Sequence, residues 1–337
     1  GFTFVEFRIP IFPHPTEDAM AQDRKNPAKY QRSDPLNPKK RGRPPKSTPN
    51  GSENDVALSI FEDKRGDTAI ISQVTERFMG LELFAEDIAK GKMRSLIVSG
   101  APGIGKTYSL LKTMERLTED GTVVFHRTAG YVSTIEMYRL LFEYRHAGNV
   151  LMFDDTDNVF YDDNSLNILK AALDSIPQRT ISYRTKSTVE VGEDEDLDDW
   201  DIDEKGLPAE FEFNGTCIFV TNVDFYAYLN GPKTRVSPHI EALLNRTQYL
   251  DMCLHHSRAV ALWIQHMVKG QNMLQSPEHG LTEAQSDGVL SFIVEHYQQI
   301  HKPSLRTAVG IADLVRNHPT NWVTLARMTK IKPVTPK

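Results

Sequence analysis

The segment Gly100-Ala101-Pro102-Gly103-Ile104-Gly105-Lys106-Thr107 satisfies G-x-x-x-x-G-K-[ST] and stands between a strand-like apolar run and a helical one. In that setting the glycines let backbone N–H groups close around phosphates, and the helix start adds partial positive charge. Lys106 is the cation for the β and γ phosphates of a nucleotide, Thr107 is a magnesium ligand, and Tyr108 continues the candidate binding stretch. Downstream, Val150 to Phe153 is an apolar run that ends in two carboxylates, Asp154 and Asp155. Asp154 is placed to hold the magnesium shell and Asp155 to polarise the attacking water. Asp157 reads first as a helix N-cap for Asn158 onward and second as an alternative base.

Such groups work only on rigid elements. Val74, Phe78, Leu81, Ala85 and Ile88 recur on one face of a helix from Val74 to Ile88. Strands then alternate with helices: Leu96–Val98, helix Lys106–Leu117; Val123–Phe125, helix Thr134–Tyr144; Val150–Phe153, helix Leu166–Ile176; Ile218–Val220, helix His239–Leu244; and a strand Tyr249–Leu254. This alternation predicts an α/β fold, a parallel sheet covered on both faces in three αβα layers. From Ala259 the helical periodicity continues without strands and predicts a small α-helical domain. The expected organisation is a basic tail over 1–54, an α/β domain over 55–256 with an acidic loop at 190–206, and a helical domain over 257–337.

Composition sets limits. The 337 residues are 39% hydrophobic and 25% charged, as in a soluble globular protein. No apolar run reaches the roughly 18 residues of a membrane span, and Glu6, Arg8 and two prolines interrupt the N-terminus where a secretory signal needs an apolar core. A cytoplasmic protein with no membrane partner is expected. Cys217 and Cys253 lie in apolar strand-like segments and are expected to be buried free thiols. The histidines lack ligand spacing, so no metal beyond the nucleotide's magnesium is expected. Residues 1–19, which lack an initiating methionine and differ in composition from the stretch that Met20 opens, are assigned no function.

The formal charge is −6, from 39 Lys plus Arg against 45 Asp plus Glu, and it is unevenly placed. Between Met20 and Lys46 nine basic residues face only Asp23 and Asp34, in a proline-rich stretch with too little apolar surface to offset its ordering entropy. This tail is expected to be disordered. Ten acidic and no basic residues lie between Glu190 and Glu204; the run reads as a solvated loop, with a lid that competes with DNA for the tail as the alternative.

The phosphate loop and acidic strand, with three further segments, resemble the AAA+ ATPases over about Val74 to Met328. Phe219-Val220-Thr221-Asn222 is similar to the family's sensor strand, whose Asn helps place the attacking water beside the γ-phosphate. Leu243-Leu244-Asn245-Arg246 is similar to the arginine-finger motif, whose Arg reaches the nucleotide of a neighbouring subunit, and Arg235 competes with Arg246 for that role. Pro303-Ser304-Leu305-Arg306-Thr307 resembles the second sensor, which makes Arg306 a lid contact to the phosphates. The resemblance implies a P-loop NTPase core with a helical lid, ATP and Mg2+ as cofactors, hydrolysis of ATP to ADP and phosphate, and a homo-oligomeric ring, by family a hexamer. One departure matters: Asp155 stands where the family has Glu, so the water must sit closer or hydrolysis must be slower. Asp154-Asp155-Thr156-Asp157 followed by Leu169-Lys170-Ala171-Ala172-Leu173 resembles a phage-type or plasmid-type subset, which implies the host cytoplasm. Gly130-Tyr131-Val132 falls where ring-shaped unfoldases of the family present an aromatic-hydrophobic pair to a threaded polypeptide. Tyr131 could instead stack on a nucleic-acid base or pack against the next helix.

Within the tail, Arg41-Gly42-Arg43-Pro44-Pro45-Lys46 resembles the AT-hook, whose extended core enters the minor groove of A·T-rich double-stranded DNA. Lys39, Lys40 and Lys46 add phosphate contacts, and a plain basic linker is the alternative. Three function classes are compatible with these residues. They are a DNA-associated motor or ATP switch, a protein-remodelling ATPase with a polypeptide substrate, and a slowly hydrolysing nucleotide-dependent scaffold.

Overall fold

The computed structural model describes residues 66–333 apart from 120, 122, 193, 194, 201, 253, 255 and 278. The tail, with Lys39, Lys40, Arg41, Gly42, Arg43, Pro44 and Lys46, and also Cys253, lie outside the described residues. Helix α1 (Asp67–Ala89) starts before Val74 and buries Ile70, Val74, Leu81, Ala85 and Ile88 along one stripe. There follow β1 (Ser95–Ser99), α2 (Lys106–Thr118), β2 (Val124–Ala129), α3 (Thr134–Glu143), β3 (Asn149–Asp154) and α4 (Asp163–Ala172). An insertion carries β4 (Thr180–Ser182), β5 (Thr188–Val189), α5 (Ile202–Lys205), β6 (Leu207–Pro208) and β7 (Glu210–Glu212). The chain continues through β8 (Thr216–Thr221), α6 (Phe225–Asn230), α7 (Ser237–Leu244) and β9 (Gln248–Asp251). Helices α8 (Ser257–Gln271), α9 (Glu283–His296), α10 (Leu305–Asn317) and α11 (Trp322–Lys330) complete it.

Five strands form one parallel sheet in the order β2-β3-β8-β1-β9. Side chains alternate across it, as strand geometry requires. Leu96, Val98, Val150, Met152, Ile218 and Val220 join α1 and α2 in one core that extends into α8, α9 and α10. Ile97, Leu151, Phe153, Cys217 and Phe219 join α3 and α4 in the other. Strand β8 returns between β3 and β1, with Ser99 level with Thr221 and Asp154 level with Val220. The chain therefore leaves all three strands at their carboxyl ends, beside the point where strand order reverses and ligand sites form.

One expectation is corrected. Helix α4 ends at Ala172 rather than Ile176, because Asp174 Oδ1 accepts the backbone N–H of Ser175 at 2.7 Å and offers the chain a local alternative to the helix. In the acidic run the carboxylates of Glu190, Glu195, Asp196, Asp198 and Glu204 are exposed, while its flanks and apolar residues are anchored. Strand β5 pairs with β6, Leu197, Trp200 and Ile202 pack against the second core, and Trp200 Nε1 donates to the Gly206 carbonyl at 2.7 Å. No helix among the described residues is long and apolar enough to cross a membrane.

Candidate functional site

The loop between β1 and α2 is fixed from two sides. Gly103 has φ 71° and Gly105, the residue before α2, has φ 107°, conformations that side chains rarely adopt. A Cβ on Gly103 would sit 2.8 Å from Ser304 Cβ, and Arg306 Cδ lies 3.7 Å from the same point. The Gly103 carbonyl accepts the N–H of Leu305 at 2.8 Å, and the Ile104 carbonyl accepts Trp263 Nε1 at 3.0 Å. The Ile104 side chain itself is buried in the first core, so it anchors the loop rather than facing a ligand. Trp263 stacks on Phe78 of α1, with ring centroids 4.7 Å apart. Ser304, the N-cap of α10, accepts the N–H of Thr307 at 3.1 Å and so fixes the start of the helix that carries Arg306.

Lys106 is only 5% exposed. Its Nζ donates to the carbonyls of Gly100 and Ala101, at 2.7 and 3.0 Å, and to Asn222 Oδ1 at 3.0 Å. Burial pulls its pKa from 10.5 down to about 8, against the opposing fields of Asp155, Asp154 and Asp157. The ammonium is thus held among oxygens beside the glycine loop, at a site that gains from an incoming anion.

Asp154 is buried at the end of β3. Its Oδ1 accepts the Thr107 hydroxyl at 2.8 Å, while its Oδ2 accepts Nε and one terminal nitrogen of Arg127, at 2.9 and 2.5 Å. Asp155 has φ 52°, a left-handed backbone rare for aspartate, and its N–H donates to the Val220 carbonyl at 2.9 Å. That turn brings Asp155 Oδ1 within 2.8 Å of Asn222 Nδ2. Thr107, Asp154, Lys106, Asn222 and Asp155 are therefore brought together. A threonine hydroxyl against a carboxylate is the hard-oxygen pair that magnesium takes when nucleotide phosphates and water complete its shell, so these residues fit the ion. Among the described residues no three or more His, Cys, Asp or Glu groups are arranged to hold a metal by themselves. Asp157 is not an N-cap. It is the first residue of a short 3-10 helix whose N-cap is Thr156, and its carboxylate accepts the Thr221 hydroxyl at 2.5 Å.

Other expected residues scatter more. Tyr108 is exposed on the first turn of α2. Tyr131 is 82% exposed, but Val132 is 3% exposed and belongs to the second core, so the two do not form a presented pair. Packing of Val132 is reinforced by Asn158, whose side chain accepts its N–H at 3.3 Å and donates to its carbonyl at 2.7 Å. Arg246 is engaged within its own chain, by Asp174 at 3.3 Å and the Ala242 carbonyl at 2.9 Å. Arg235 is 84% exposed and pairs with Asp163 at 2.6 Å. Sequence reasoning missed Arg127, Asn158 and Trp263. An arginine two residues beyond the strand-like run Val123–Phe125 was the available signal for the first, because the strand continues to Ala129, and the other two are recognisable only once the chain is folded.

The chain matches no protein-family model. It is 33% identical over 269 residues to the "uncharacterized 36.7 kDa protein in nrdC-mobD intergenic region" of Enterobacteria phage T4, covering 80% of this chain and 78% of that one. Among solved structures it is similar to domain III of the replication initiation protein DnaA from Thermotoga maritima, at 15% identity and TM-score 0.41 over 75% of this chain and 91% of that one. Cdc6p from Pyrobaculum aerophilum is similar at 15% identity and TM-score 0.46, over 82% of this chain and 72% of that one.

Proposed function

This chain belongs to the same family as the phage T4 protein, and we propose that it is a P-loop protein of the AAA+ kind that binds ATP with Mg2+ and hydrolyses it in association with DNA. The observation that carries the reading is the connected set Thr107–Asp154 and Lys106–Asn222–Asp155 at the carboxyl ends of β1, β3 and β8, where the glycine loop leaves β1. The Lys106 ammonium would exchange carbonyl partners for β and γ phosphate oxygens, whose negative charge compensates its burial. Thr107 and Asp154 would hold magnesium, which when bound neutralises phosphate charge. Asp155, oriented by Asn222, would accept a proton from the attacking water. Arg306 extends from the start of α10 past Gly103, which supports a contact to the phosphates from the helical segment.

Action in a ring rests on resemblance, with Arg235 and Arg246 as alternative donors to a neighbour's nucleotide. The more exposed position of Arg235 favours it. DNA association rests on the sequence of the tail. The exposed ring of Tyr131 supports a second reading, remodelling of a polypeptide. Phosphate release should be measured for the full chain alone, with A·T-rich duplex, with single strands and with an unfolded protein, using Lys106→Ala as the control. Stimulation by duplex supports the first reading, and stimulation by unfolded protein alone replaces it with the second. Turnover unaffected by Lys106→Ala refutes the site.

A further inference from the structure

Resting on the nucleotide reading above, we propose that Arg127 is a positioning residue that withholds Asp154 from magnesium, so that metal loading of the site is gated from the edge strand β2. Among the described residues, strand β2 is the outermost of the sheet on this side and pairs only with β3. Arg127 is level with Met152, two residues before Asp154 on the same face, so its side chain reaches along the strands to the carboxylate. Both N–H contacts fall on Asp154 Oδ2, and the Thr107 hydroxyl takes Oδ1. Both oxygens of the residue best placed for the ion are therefore occupied by donors. The two donors differ in kind. Thr107 offers an oxygen that a metal can share, whereas a guanidinium is permanently charged and repels a dication beside it.

The arrangement is built to open. Asp154 is nearly fully buried and cannot move far, but the Arg127 side chain is 41% exposed and can swing into water. The same strand ends at Ala129, level with Asp154, and the N–H of Gly130 donates to the Asp154 carbonyl at 3.3 Å. A purely supporting role would have the opposite sign on removal, since an arginine that merely aims Asp154 at the ion strengthens metal binding.

The test is the affinity of Mn2+ for the full chain saturated with a non-hydrolysable ATP analogue, read from the electron paramagnetic resonance signal of the free ion. Binding of the analogue in chelator is measured alongside. Arg127→Gln should bind Mn2+ about tenfold tighter than the unmodified chain, with metal-free analogue affinity within about twofold. Arg127→Lys keeps the charge but loses the fork, and should fall between the two. Equal or weaker Mn2+ binding in Arg127→Gln overturns the gate and makes Arg127 a support for Asp154. If that variant does not fold, Arg127→Lys decides by the same criterion. An unmodified chain that binds no analogue overturns the nucleotide reading, and the gate with it.

Discussion

Lys106 gives the candidate site a stability signature that depends on no ligand. Its burial lowers the pKa from 10.5 to about 8, so the folded chain disfavours the protonated form. A fall of this size, at about 1.4 kcal/mol per pH unit, corresponds to roughly 3 kcal/mol. Because the folded pKa lies below the unfolded one, the unfolded chain binds more protons between about pH 8 and 10.5, and stability must rise with pH across that window. The full cost is borne below about pH 8 and is relieved as the folded-state lysine loses its proton. Lys106→Met supplies a reference of similar length that cannot titrate. Urea unfolding of both proteins without nucleotide should show the unmodified chain gaining about 2 kcal/mol on Lys106→Met between about pH 7.5 and 9.5. Other groups cancel in the difference. A gap that stays constant over this range, or that moves the other way, refutes the claim that a buried ammonium waits beside the glycine loop.

Asp155→Asn should leave nucleotide binding intact and slow phosphate release by at least ~10²-fold, the scale of a general base; normal turnover would transfer the role to another group. Trp263→Phe keeps the stack on Phe78 but leaves the buried Ile104 carbonyl without its donor, and should cost about 1–3 kcal/mol in urea unfolding together with weaker nucleotide binding. Unchanged values for both would mean that α8 does not help to hold the phosphate loop. Replacing Arg41 and Arg43 together with lysine should abolish an A·T-over-G·C preference of ~1–3 kcal/mol while keeping most of the salt dependence, as measured by duplex titration. Equal affinity of the unmodified chain for both duplexes reduces the motif to a basic linker.

The groups legible in the sequence are those whose geometry is local. Gly100 to Thr107 can be read because strand, turn and helix are contiguous, and the pair Asp154 and Asp155 because an apolar run ends on it. The three layers are readable because short continuous apolar runs alternate with amphipathic helical stretches along the chain. The residues that escaped depend on which strands become neighbours. Arg127 meets Asp154 only because β2 pairs with β3 in a particular register, and Trp263 meets Ile104 only because α8 folds back against α1. Strands β4 to β7 are two or three residues long, too short for periodicity to register, and the acidic side chains between them hide the apolar anchors Leu197, Trp200 and Ile202. Val132 is grouped with Tyr131 by adjacency, although consecutive residues of an extended segment point to opposite sides.

The most direct test of the central claim is calorimetric titration of ATP with Mg2+ into the full chain and into Lys106→Ala. One saturable site per chain is predicted, weakened when the magnesium is chelated and lost in the variant. No saturable binding to the unmodified chain, or binding that survives Lys106→Ala undiminished, would contradict it.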